Sequence, residues 1–270
     1  RTGYTVIIME YPSSHYHIYV DLDRTIINTT QWLREIAEAL AQLYPAQVTA
    51  KEFLAAQPRY MLRPKTNPTA PTYVLAAQLA ALGLDAASVI EQLEQTALAD
   101  GHLQYPGVAS MLRALSHYGT VQVLTYGDPI TPHCKARLCP AVRALVAQQG
   151  GQVIITTLQD KAQWLRRAAA ANPGQTIYLI DDKPVAVAFA PEPDPPIRCV
   201  QIDHTGQLTP RSINWRSGDW PICHTLAQAT NIIQGDIEYA MHQSNHPRSR
   251  LGDTAPARHQ DDRKMHVAAG

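Results

Sequence analysis

His17-Ile18-Tyr19-Val20-Asp21-Leu22-Asp23-Arg24-Thr25-Ile26-Ile27 is the stretch on which the reading of this chain turns. A short apolar run, rich in the aromatic and β-branched residues that suit a pleated strand, empties into two carboxylates spaced i, i+2. That spacing puts both acids on the same side of an extended chain. Two anions held together at the end of a buried strand repel each other, so the arrangement persists where a cation or a reacting group compensates the charge. Taken alone, Asp-x-Asp fits a turn or a surface acidic pair equally well, and the remainder of the chain has to separate these readings.

Outward from this stretch the chain alternates between strand and helix patterns. Segments 16 to 22, 120 to 126, 152 to 157, 175 to 181 and 197 to 202 read as strands. Helical patterns lie between most of them, the βαβ rhythm of a parallel sheet covered on both faces. One helix is signalled by Pro106 and Gly107 at its start, apolar Val108, Leu112 and Leu115, and Gly119 beyond its end. Another follows Thr157, with Asp160 in its first turn, and stops at Asn172-Pro173-Gly174.

The rhythm is broken between the first two strands, where residues 30 to 105 contain helical stripes and no convincing strand. Leu33, Ile36, Ala37, Leu40 and Leu43 keep helical spacing, and Thr49 with Glu52 forms a capping-box pattern ahead of Phe53 and Leu54. Val74, Leu75, Leu79 and Leu82, then Val89, Ile90 and Leu93, continue the pattern. The expectation is a helical insert over the carboxyl ends of the strands, where open α/β sheets bind ligands. The bland alternative is that these helices merely extend the core. The expected division is a core of 1–29 and 106–240, an insert of 30–105, and a largely disordered tail of 241–270, which has no apolar period.

The whole 270-residue chain is 45% hydrophobic and 17% charged, with Lys plus Arg and Asp plus Glu both at 23. No global field draws it to nucleic acid or to a membrane surface, and no local basic motif supplies one. No apolar run approaches the ~18 residues of a membrane helix, and the opening segment is too short and too soon interrupted for a signal peptide, so the expected location is the cytoplasm. Cys134, Cys139, Cys199 and Cys223 match no zinc spacing and read as buried thiols.

Other strand ends carry further candidates. The second strand ends in Leu124-Thr125-Tyr126-Gly127-Asp128, which places a hydroxyl where a phosphoryl oxygen can accept its hydrogen bond. The fourth ends in Ile180-Asp181-Asp182-Lys183, a second acidic pair that is costly without a cation, although Asp182 can also serve as a helix N-cap. Lys161 stands at the start of the preceding helix, mildly misplaced against the helix dipole. Lys135, its competitor, has the setting of a solvated helical face.

In order and setting, Asp21-Leu22-Asp23-Arg24-Thr25, Thr125, Lys161 and Asp181-Asp182 resemble the four motifs of the haloacid dehalogenase superfamily, over roughly residues 16 to 205. The resemblance implies an α/β Rossmann-like parallel sheet, with the helical insert as a C1-type cap. It implies that Asp21 is the nucleophile, Asp23 the general acid/base, Thr125 a phosphoryl-binding group and Lys161 the neutralising cation. It also implies that Asp181 and Asp182 hold Mg²⁺ together with Asp21 and the backbone carbonyl of Asp23, with Asp182 the more direct ligand. An acid at Asp23 suits a phosphohydrolase of small phosphorylated metabolites better than a dehalogenase, which typically lacks one there. The alternatives are a non-catalytic binding or regulatory module and a sugar-phosphate mutase.

The chain departs from the family pattern in two places. Arg24 stands where the family often has Gly, and as a bulky residue at the rim it can bind substrate anions. No further Asp follows Asp181-Asp182 within the next few residues. In the insert, Arg59, Arg63 and Lys65 beside Tyr60 are candidates for gripping an anionic substrate, against the plainer reading of solvated side chains.

Overall fold

The computed structural model describes residues 16–62, 72–149, 153–156, 161–183, 196–210 and 220–245. Strand β1 (Tyr16–Val20) is followed by helices α1 (Thr29–Leu43), α2 (Ala50–Ala56), α3 (Leu75–Ala81) and α4 (Ala86–Glu94). Between α2 and α3 lie the two-residue strands β2 (Met61–Leu62) and β3 (Thr72–Tyr73), paired antiparallel. The chain then runs through α5 (Val108–Ser116), β4 (Thr120–Tyr126), α6 (Ile130–Arg137), α7 (Pro140–Gln149), β5 (Val153–Thr156), α8 (Lys161–Ala171) and β6 (Thr176–Asp181). It ends in β7 (Ile197–Ile202), β8 (Ile222–Cys223) and α9 (Leu226–Asn245).

Six strands form one sheet in the order β5-β4-β1-β6-β7-β8, and every neighbouring pair is parallel. From β1 the chain steps outward to β4 and β5, then returns to the other side of β1 with β6. The strand order therefore reverses beside β1, the point at which doubly wound sheets open a crevice beyond their carboxyl ends. This is the expected α/β, Rossmann-like parallel sheet.

Alternate residues of the central strands feed two cores, as the period of two requires. Ile18, Val20, Val121, Val123, Tyr178 and Ile180 face one side, with Leu115, Leu226 and Ile233 of the covering helices. Tyr19, Leu124, Ile177 and Leu179 face the other, against Ala162 and Leu165 of α8. Burial on both faces explains why these strands read as nearly continuous apolar runs. The first cluster extends without a break into the insert through Trp32, Ile36, Leu40, Leu75, Leu79 and Leu93.

Helices α1, α2 and α4 begin at side-chain caps. Asn28 Oδ1 accepts from the Gln31 amide at 3.1 Å, Asp85 Oδ2 from the Ser88 amide at 2.9 Å, and Thr49 Oγ1 from the Glu52 amide at 3.3 Å, which places the capping box where the sequence pattern has it. The insert reaches the rest of the chain through α6, where Thr131 Oγ1 accepts from the Leu75 amide at 2.9 Å and Arg137 pairs with Glu94.

Two expectations need correction. The span 30–105 does contain strand, β2 and β3, each only two residues long and so too short to display a period. The chain also stays helical to Asn245, past the expected start of the tail at 241, because α9 keeps Leu226, Ala229, Ile233 and Ile237 on its buried face. Residues 246–270 lie outside the described residues, as do Thr157, Asp160, Arg63 and Lys65. All four cysteines are buried and free, as read. Among the described residues no helix is long and apolar enough to cross a membrane.

The turn into β4 leaves no room for a side chain at Gly119, where a Cβ would lie 2.3 Å from the Tyr16 carbonyl oxygen. Gly119→Ala is expected to destabilise the fold by ~2 kcal/mol or more in urea unfolding, because backbone rather than a flexible side chain must give way.

Candidate active site

The site grows from the end of β1. Val20 is in register with Val123 of β4 and Ile180 of β6, so the residues that follow these three strands emerge side by side. The amide of Asp21 still donates to the Ile180 carbonyl at 2.8 Å, which fixes Asp21 alongside Asp181. The chain then turns tightly. The Leu22 carbonyl accepts from the amides of Ile26 at 3.1 Å and Ile27 at 2.9 Å, and the Arg24 amide donates to Ile27 at 2.8 Å. This turn forces Arg24 to φ 59°, the left-handed region that favours glycine. The unusual residue of the motif is thus carried at a backbone conformation that a glycine would adopt without strain, and its side chain is exposed.

Asp21 and Asp181 are each 3% exposed, and Asp182 is half-buried beside them. One carboxylate oxygen from each of the three lies within 4.8 Å of the other two. Lys161, at the first residue of α8, donates to Asp21 Oδ1 and, at 2.7 Å, to Asp181 Oδ2. Asp181 Oδ1 accepts from the Lys183 amide at 2.9 Å, whereas the Asp182 carboxylate accepts no hydrogen bond from the described residues. Thr125, at the carboxyl end of β4, is 1% exposed.

The electrostatics record the crowding. Burial raises the Asp21 carboxyl above its ordinary value; Lys161 opposes this, and the charges of Asp181 and Asp23 add to it. Burial likewise raises Asp181 against the pull of Lys161, and burial together with Asp21 raises Asp182. Burial would depress Lys161, but Asp21 and Asp181 outweigh it and hold the ammonium firmly charged. With all three carboxylates ionised, the single ammonium would leave two negative charges uncompensated. Such a set of hard oxygen donors, one without a hydrogen bond from the described residues, fits a divalent cation such as Mg²⁺.

Asp23 has a separate environment. Its Oδ1 accepts from Thr29 Oγ1 at 2.6 Å and from Lys135 Nζ at 2.5 Å. Burial alone would raise its carboxyl, but the charge and hydrogen bond of Lys135 and the Thr29 hydroxyl prevail and hold it below the ordinary value. Its side chain is not one of the three that could share a cation. Lys135 itself corrects the sequence reading. It is 5% exposed rather than a solvated helical residue, with its ammonium 4.7 Å from the centre of the Trp32 ring. Thr29 went unremarked in the sequence, since nothing about a Thr six residues after Asp23 marks it as a partner.

At the rim, Tyr105 and His204 stack with ring centroids 3.6 Å apart, and His204 Nε2 donates to the Thr25 carbonyl at 3.2 Å. Arg59 is exposed in the insert, beside Tyr60 and Phe53 on a cavity of about 290 Å³ whose lining includes none of the candidate carboxylates.

No family model and no curated protein matches this chain. Among solved structures, a haloacid dehalogenase-like family hydrolase from Xanthomonas campestris is 13% identical with a TM-score of 0.46, covering 89% of this chain and 100% of its own. A defluorinating L-2-haloacid dehalogenase is 14% identical with a TM-score of 0.48, covering 81% of this chain and 95% of its own. CbbY from Rhodobacter sphaeroides, in complex with xylulose-1,5-bisphosphate, is 13% identical with a TM-score of 0.43, covering 78% of this chain and 94% of its own. The chain is similar to haloacid dehalogenase-like hydrolases. At these identities and scores the likeness carries nothing about activity, so the chemistry has to come from the chain's own residues.

Relief of the left-handed strain is expected to make Arg24→Gly more stable by up to ~1 kcal/mol in thermal or urea unfolding, the gain being tempered by the added freedom of glycine in the unfolded chain.

Proposed function

We propose that the chain is a hydrolase of the haloacid dehalogenase superfamily. In this reading it is a Mg²⁺-dependent phosphohydrolase of small phosphorylated metabolites, with the insert acting as its cap. The observation that carries this reading is the convergence of Asp21, Asp181 and Asp182 around Lys161 at the sheet's switch point, with Asp23 anchored apart from them.

Two acids in two environments support two roles. Asp21, beside Lys161 and the other carboxylates, is set to attack. One of its oxygens forms a bond to phosphorus as the bond from phosphorus to the ester oxygen breaks, leaving an aspartyl phosphate and an alkoxide. The alkoxide takes a proton from Asp23 and departs as the alcohol. Asp23, now a carboxylate, takes a proton from water as that water attacks phosphorus. The bond to Asp21 breaks, and inorganic phosphate leaves with Asp21 restored. The resting Asp23 is held as the anion by Lys135 and Thr29, the form needed in the second half. An arriving ester brings negative charge that favours the protonated form needed in the first half.

Lys161 offsets charge where an anionic nucleophile meets an anionic ester, and Thr125 offers a hydroxyl to a phosphoryl oxygen. Asp21, Asp181, Asp182 and the carbonyl of Asp23 would hold Mg²⁺. When bound, the ion supplies positive charge against the phosphoryl oxygens. The presence of Asp23 with its own anchors favours phosphate esters over haloacids, because displacing a halide requires no proton delivered to the leaving group.

Purified protein assayed on a panel of alkyl and sugar phosphates is expected to release phosphate only with Mg²⁺, and Asp21→Asn is expected to lower kcat by roughly three orders of magnitude or more. Phosphate release that is indifferent to Mg²⁺, or equal in Asp21→Asn, would overturn the reading.

A further inference from the structure

Lys135 stabilises the charge of Asp23, and its placement also bears on where that carboxylate points. Lys135 is 5% exposed, and among the described residues its ammonium has a single ionic partner, Asp23. Withdrawing an ammonium from water is costly unless a partner compensates it. A lysine placed solely to join α6 to the rest of the fold would gain nothing over an apolar side chain of similar size.

The geometry is directional. Both hydrogen bonds to Asp23, from Lys135 Nζ at 2.5 Å and Thr29 Oγ1 at 2.6 Å, fall on Oδ1. Oδ2 accepts none from the described residues, and the side chain retains 34% of its exposure. The carboxylate is thus pinned by one oxygen and presents the other. The pins come from different elements, Thr29 from the first turn of α1 and Lys135 from α6, and the buried Trp32 of α1 lies across the ammonium with its ring centre at 4.7 Å. The lysine is itself held in place by aromatic contact, which limits where Asp23 can rest.

We propose that Lys135 is a positioning residue for proton transfer. Together with Thr29 it anchors Oδ1 of Asp23, so that Oδ2 is the oxygen presented to the leaving group and then to water. Lys135 touches neither substrate nor metal. Its effect passes entirely through the orientation of Asp23. This inference rests on the phosphohydrolase reading, and its test keeps the two apart.

Wild type, Lys135→Met, Lys135→Arg and Thr29→Val are compared with Mg²⁺ on an alkyl phosphate and on p-nitrophenyl phosphate, and the crystal structure of Lys135→Met is determined. The anchor predicts that Lys135→Met lowers kcat on the alkyl ester about 100-fold with KM little changed, the scale of a misplaced general acid/base. It predicts that the same variant keeps a stoichiometric burst of p-nitrophenol, whose departure needs no proton, followed by slow turnover. Lys135→Arg recovers part of the alkyl activity, Thr29→Val loses about tenfold, and the Asp23 carboxylate in Lys135→Met turns away from Thr29.

A Lys135→Met enzyme within about threefold of wild type on the alkyl ester overturns the proposal, as does loss of burst and turnover together, or an unmoved Asp23. Should Lys135→Met fail to fold, Thr29→Val decides, and full alkyl turnover in that variant rejects the anchor. A wild type inactive on every ester defeats the phosphohydrolase reading instead, and the orientation of Asp23 in the variant structure still decides whether Lys135 anchors it.

Discussion

Repulsion among Asp21, Asp181 and Asp182 is the constraint to which the rest of the structure answers. The parallel sheet brings the ends of β1 and β6 into register, so the two aspartates cannot avoid each other, and burial denies them the water that would screen the contact. Lys161 is the fold's partial answer, bridging Asp21 and Asp181 from the first residue of α8. One ammonium does not balance three carboxylates. Burial first, and the neighbouring carboxylates after it, raise all three carboxyls, and a divalent cation would offset the charge that remains.

Around this centre the fold divides its acids. Asp21 is embedded among charges at the carboxyl end of the central strand, and Asp23 lies two residues on, just before the left-handed residue Arg24, in contact with α1 and α6. Neighbouring carboxylates in unlike surroundings are the arrangement from which distinct roles in attack and proton transfer arise. The insert takes part in that division through α1, whose first residue, Thr29, closes the core segment and whose Trp32 belongs to the insert. It shares one apolar cluster with the sheet, so packing changes in its helices should be felt at Asp23.

Much of this was legible in the sequence. Strands buried on both faces show as apolar runs, and each candidate carboxylate lies where such a run stops; hence β1, β4, β5, β6 and β7 and the cluster of Asp21, Lys161 and Asp181-Asp182 could be read without coordinates. Lys135 could not. The partner that compensates its buried charge, Asp23, lies 112 positions earlier, and its own helix α6 shows almost no one-sided apolar pattern. Thr29 contributes through a single hydroxyl, which composition and period do not register. The pair β2 and β3 is too short for alternation, and the polar residues along the last turns of α9 concealed a helix whose apolar contacts are spaced one per turn. A pairing such as Lys135 with Asp23 leaves no mark in composition or period, whereas periodic burial does.

The central claim is that Asp21 is a phosphoryl-accepting carboxylate in a site completed by a divalent cation. It is tested most directly by a crystal structure of the protein with Mg²⁺ and beryllium trifluoride, a tetrahedral mimic of a carboxylate-bound phosphoryl group. The account predicts density for the mimic on an oxygen of Asp21, close to Lys161 and Thr125, with the metal held by Asp21 and Asp182. Mg²⁺ bound elsewhere, or an Asp21 left unmodified while the mimic sits on another group, would contradict it.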